Sequence, residues 1–168
     1  MDKLSDQTKQ NLFQTVIGGI SIAEFEQWLY ANDNKLETEL NSKFYLDLIS
    51  LSYNQKDSFS QLKDKIFQYI DINEFNIWRT KKLLNAIIEN KIEFVTATRE
   101  LRDLYFETDT KLIPVTLAVY YESELDDVPI PSEYKLWSDQ GLQEKLKTVD
   151  LYRDDFIKDA KEFLATLE

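Results

Sequence analysis

Apolar side chains recur at three- and four-residue intervals along most of this chain, the spacing that gathers them on one face of an α-helix. Leu12, Phe13, Val16 and Ile17 mark a first helix from about Ser5 to Ile17, with Gly18-Gly19 as its stop. Ser21-Ile22-Ala23-Glu24 reads as a capping box, the hydroxyl accepting from the Glu24 amide while the carboxylate reaches back. Ile22, Phe25 and Leu29 then share a face that Trp28 widens. Beyond the polar joint at 32–34, Leu36 and Leu40 suggest a further turn or two, and Tyr45, Leu48 and Leu51 put residues 44–51 on a helical track. Phe59, Leu62, Ile66 and Ile70 mark a helix over about 58–69, and Phe75, Trp78, Leu84, Ile87 and Ile88 mark another, capped by Asn73 or Asp71 and ended by Asn90. Leu101, Leu104 and Tyr105 indicate a helix over about 97–106, with Arg99 and Asp103 spaced as an ion pair. The last helix starts near Ser138 or Val149 and runs to Leu167.

Residues 112–121 break this rhythm. Leu-Ile-Pro-Val-Thr-Leu-Ala-Val-Tyr-Tyr is the most strand-like run in the chain. A lone strand lacks partners for its edges, whereas Pro114 suits the first turn of a helix that would group Val115, Ala118 and Val119. Helix is the preferred reading, with one short β element near 115–121 as the alternative. Glu122 to Tyr134 reads as an acidic, proline-containing loop.

The expected product is an all-α fold: a single domain over residues 1–168, built as an irregular bundle or array of six to eight helices. Length and composition agree. A 168-residue chain with 43% hydrophobic residues, 10 Phe and 9 Tyr can fill one core, and 3 Gly with 3 Pro are few for a chain of hairpins. Phe25, Trp28, Leu48, Ile66, Leu84, Leu104 and Phe156 are the expected core, with Tyr30 and Tyr53 at its edge or rim.

Chemistry narrows by subtraction. The chain holds no Cys and no His, which removes disulfides, thiolate nucleophiles, Ser-His-Asp arrangements and the commonest transition-metal ligands. A net charge of -11 repels phosphate backbones, so no nucleic acid is expected as a direct partner. No apolar run reaches the roughly 20 residues a membrane span needs. The start, Met1-Asp2-Lys3-Leu4-Ser5-Asp6, lacks an apolar leader core, and a cytoplasmic, membrane-free protein is expected. Neither a G-x-x-x-x-G-K-[ST] nor a G-x-G-x-x-G loop occurs, and no cofactor is expected.

The charge is uneven. Residues 97–131 carry eight acids against three bases, and four of those acids are Glu122, Glu124, Asp126 and Asp127. Their order is not that of a calcium loop, because the turn Gly and terminal Glu are missing, so no metal is expected. A solvated loop is the plain reading. The functional reading is a docking surface for a basic protein, with Tyr120, Tyr121 and Tyr134 supplying aromatic contacts while the acids steer approach. Trp78-Arg79-Thr80-Lys81-Lys82 is the most basic run and reads as solvated helix surface.

The block Ile20-Ser21-Ile22-Ala23-Glu24-Phe25-Glu26-Gln27-Trp28-Leu29-Tyr30, followed by Tyr45-Leu46-Asp47-Leu48-Ile49-Ser50-Leu51-Ser52-Tyr53, resembles the helical start of small acidic immunity proteins encoded beside bacterial polymorphic or contact-dependent toxins. The likeness covers mainly residues 20–53, about a fifth of the chain. It implies a non-catalytic protein that binds and neutralises a cognate toxin domain, often a basic nuclease. The placement of the toxin-binding residues at Tyr120, Tyr121, Glu122, Glu124, Asp126 and Asp127 comes from the charge pattern alone, and no catalytic residue is assigned. Two other classes compete: a small phosphodiesterase or glycosidase using paired carboxylates with Arg79, Arg99 or Arg102 as a clamp, and a helical regulatory or structural module.

Overall fold

The computed structural model describes residues 4–108 and 112–167; the Met1–Lys3 part of the polar start lies outside the described residues. Every regular element among them is helical, as the periodicity requires. In chain order these are α1 (Asp6–Val16), α2 (Ile22–Ala31), α3 (Asp33–Glu39), α4 (Ser42–Ile49), α5 (Ser58–Phe67), α6 (Ile72–Ile88), α7 (Phe94–Glu107), α8 (Tyr121–Glu124) and α9 (Asp139–Thr166). A π-helical turn, Thr116–Tyr120, leads into α8, and a 3-10 turn, Pro131–Leu136, precedes α9. The nine α-helices described exceed the six to eight expected. No described helix is long and apolar enough to cross a membrane.

Side-chain caps explain where these helices begin, by satisfying amides that the first turn leaves without partners. The Ser21–Glu24 box forms in full, with the Ser21 amide donating to Glu24 Oε2 at 2.8 Å and the Glu24 amide to Ser21 Oγ at 3.3 Å. Asn41 Oδ1 accepts from the Phe44 amide at 2.8 Å and so starts α4 as a helix separate from α3. Asp71, rather than Asn73, caps α6, accepting from the amides of Asn73 and Glu74 at 2.8 and 3.2 Å. Glu93 accepts from Val95 and Thr96 at 3.0 and 2.7 Å, which starts α7 three residues earlier than the apolar track suggested.

The chain divides into two compact units, Met1–Phe75 and Asn76–Glu168, with the boundary inside α6. In the first, α1 packs with α2 and α5, and α4 with α5. Phe25, Leu48 and Ile66 are buried at its centre, and Phe44 stacks on Tyr69 with ring centres 4.2 Å apart. Trp28, expected in the core, is half-buried at its edge, its ring 5.4 Å from Phe25. Tyr53 is buried and donates to the Leu48 carbonyl at 2.8 Å, whereas Tyr30 is exposed.

In the second unit, α7 packs against the π turn, α8 and α9. Leu84, Leu104 and Phe156 are buried as expected, and the Phe156 ring sits edge-on to Phe94 and Tyr121 at 5.3 and 5.2 Å. Residues 115–121 form no strand. Pro114 does stand just before a helical start, its carbonyl accepting from the Ala118 amide at 3.1 Å. The π turn then takes up more residues than an α turn and rotates the face. Leu117, Ala118 and Tyr121 face inward, while Val115 is exposed and does not join Ala118 as the α-spacing implied.

Candidate functional site

The acidic segment is less of a loop than its composition suggested. Tyr120 ends the π turn, Tyr121 to Glu124 form α8, and only the stretch from Leu125 to Ile130 is irregular. Helical placement separates the six expected site residues into an inner and an outer set.

Tyr121 and Glu122 belong to the interior. Tyr121 is buried, and its hydroxyl donates to Asp159 Oδ2 at 2.7 Å. Burial and that bond together push its ionisation well above the ordinary tyrosine range. Glu122 is 6% exposed and accepts from the Arg102 guanidinium, which also donates to Asp103 Oδ1 at 3.0 Å. The Asp103 bond and the Glu122 charge hold Arg102 firmly in its charged form against the cost of burial. Both side chains are covered within their own unit. A carboxylate of an acidic run is turned inward because α7 offers a cation there, and sequence spacing carries no sign of that encounter.

Tyr120, Glu124, Asp126 and Asp127 remain outside. Tyr120 is exposed, with its ring 6.4 Å from that of Tyr152. Glu124 Oε2 accepts from the Tyr152 hydroxyl at 2.7 Å, a bond that raises the tyrosine pKa. Asp127 pairs with Lys145 on α9. Tyr134 is half-buried.

A cleft of about 290 Å³ opens beside Asp126 and Asp127, lined also by Arg99, Val128, Pro129, Glu133, Leu136 and Trp137. α7 contributes Arg99 to its lining. Arg99 does not pair with Asp103 as its spacing implied; its Nη2 donates to the carbonyls of Val128 at 3.0 Å and Asp126 at 3.4 Å. Backbone carbonyls in an irregular turn need donors, and the guanidinium supplies them. Opposite, Glu133 Oε2 accepts from the Ile130 amide at 3.0 Å and so starts the 3-10 turn that presents Leu136 and Trp137. Leu136 is 77% exposed and Trp137 39%, an adjacent apolar pair on the surface. The cleft therefore has three carboxylates, one guanidinium committed to backbone, and an apolar side.

The sequence pattern passes over Glu133, Leu136 and Trp137. Leu-Trp directly before the Ser138 cap reads as ordinary helix-start packing, and only the fold reveals the pair beside Asp126. The arginines suggested for a hydrolytic clamp each have separate engagements: Arg79 with Glu107 at 3.1 Å, Arg99 with the turn and Arg102 with Glu122 and Asp103. In the basic run, the Lys82 ammonium lies 5.3 Å from the centre of the Trp78 ring. Among the described residues, no three carboxylates group in a way that would hold a metal ion. No protein-family model, curated protein or solved structure matches this chain.

Proposed function

We propose that this chain is a non-catalytic immunity-type protein, acting in the cytoplasm, that binds a cognate basic toxin domain of the nuclease kind and neutralises it by covering its active face. The observation that carries this reading is the cleft of unit two, where Asp126, Asp127 and Glu133 stand next to the exposed Leu136 and Trp137. Protein interfaces combine aromatic anchors with charges that guide approach, and this surface offers both. The net charge of -11 adds long-range attraction for a basic partner. The resemblance of residues 20–53 to immunity proteins agrees with a binding role.

Co-expression in a bacterial host with any toxin-like C-terminal domain that an adjoining gene encodes tests the proposal. Restored growth together with a stable complex on size-exclusion chromatography is expected. Continued killing, with the two proteins eluting separately, rejects the immunity reading.

A further inference from the structure

We propose that the cleft lined by Asp126, Pro129, Glu133, Leu136 and Trp137 is a recognition pocket for a single arginine side chain of the basic partner. This deepens the binding role proposed above and rests on it for the partner's identity, but the pocket has its own chemistry. At about 290 Å³ the space is at the small end of ligand sites. That suits one long side chain better than an extended substrate.

The charges select a cation. Asp126, Asp127 and Glu133 face a single cation in the lining, Arg99, whose Nη2 is committed to the Val128 and Asp126 carbonyls. The Asp127 carboxylate already holds an ammonium, that of Lys145, so the rim accepts cations within the fold itself. Glu133 uses only Oε2 for its bond to Ile130, leaving Oε1 for another donor.

The apolar side favours arginine over lysine. A guanidinium is planar, stacks on an aromatic face and gives several donors to carboxylates, whereas an ammonium is a strongly hydrated point charge. Trp137 supplies the face, and Leu136 supplies a wall for the aliphatic stem. The indole lies close to the first turn of α9, and a Cβ at Gly141 would stand 3.6 Å from its Cε3 atom. That is an ordinary contact distance, so the ring packs alongside this turn. In the bound state the arginine stem lies on Leu136, its guanidinium covers Trp137, and its N–H groups meet Asp126 and Glu133.

Titration of the whole protein with N-acetyl-arginine amide, followed by the indole N–H resonance of Trp137, tests this pocket. The resonance is assigned by loss in Trp137→Phe. A saturable shift is expected, with affinity about tenfold above that for the uncharged citrulline analogue, and above that for the lysine amide. Asp126→Asn combined with Glu133→Gln should abolish the shift, while the Gln oxygen still accepts from Ile130 and preserves the fold. Equal shifts with citrulline, a preference for lysine, or no shift at Trp137 would overturn the arginine pocket. So would binding of inorganic phosphate at Arg99 in its place. If the double variant still neutralises the cognate toxin with undiminished affinity, the pocket inference fails and the immunity reading stands. If the arginine amide binds but no toxin domain does, the pocket stands and the immunity reading fails.

Discussion

Glu122 shows how little a residue's neighbours in sequence say about its task. It shares an acidic run with Glu124, Asp126 and Asp127, yet it is buried against Arg102. Glu122→Gln should therefore lower stability by about 1–2 kcal/mol, the range for a charge-assisted bond discounted for the partly exposed Arg102. Asp126→Asn should leave the urea midpoint unchanged. Equal midpoints for parent and Glu122→Gln would remove the structural role assigned here. Glu39 has a comparable task in the first unit. Its Oε2 accepts from Thr8 Oγ1 at 2.5 Å and Ser5 Oγ at 2.9 Å, tying α3 to the start of α1. Burial opposes its ionisation, but these two donors and Lys35 outweigh that and lower its pKa. The folded state then binds fewer protons than the unfolded one, so this stabilisation is full above the unfolded carboxyl value and fades as pH falls through the folded one. Thr8→Val should destabilise most near neutral pH and converge on the parent in acid. Chemical denaturation at a series of pH values reads that difference, and a gap that widened in acid would contradict it.

At the scale of helices, Gly18 stops α1 with φ +74°, a conformation that costs a side-chain-bearing residue about 1–2 kcal/mol. Gly18→Ala should lose that amount in equilibrium unfolding, because there is free space for the methyl group and backbone strain alone remains. No measurable loss would mean that the turn relaxes. Such stops, and the Ser21 cap, are legible in sequence because one side chain acts on an amide within three residues, whereas the Asn41 cap that separates α4 from α3 goes unread. The all-α class is legible because apolar side chains recur at helical spacing along most of the chain. The rotated face of residues 115–121 is not: the choice of a π turn depends on which of Leu117, Ala118 and Tyr121 the second core accepts. Nor was the cleft. Asp126 and Asp127 drew attention by their charge, but the Arg99 contact that shapes their turn spans 27 and 29 positions, and Trp137 joins them only through folding.

For the molecule as a whole, acidity is a matter of rate. Attraction between this chain and the basic toxin domain proposed as its partner should speed encounter at low ionic strength and weaken as salt shortens its range to about 8 Å near 0.15 M. Asp126→Asn with Asp127→Asn should lower the association rate at low salt, and added salt should close the gap; dissociation should respond more to Trp137→Ala. Surface plasmon resonance at two ionic strengths separates the effects, and identical low-salt association rates would exclude steering by this segment. The absence of histidine and cysteine has a consequence for the same charge. Hydrogen bonds lower the pKa of Glu24 and Asp47, while burial and then a carboxylate bond raise Tyr69 and Tyr121, and a carboxylate bond chiefly raises Tyr152. These acids and phenols are thereby moved away from neutrality in opposite directions, and apart from an α-amino group no group of this composition has an ordinary value between about pH 6 and 8. On ordinary values, buffering across that interval is slight. A proton taken up or released by this chain near neutral pH when a complex forms would then report a carboxylate, phenol or lysine whose pKa the partner has moved.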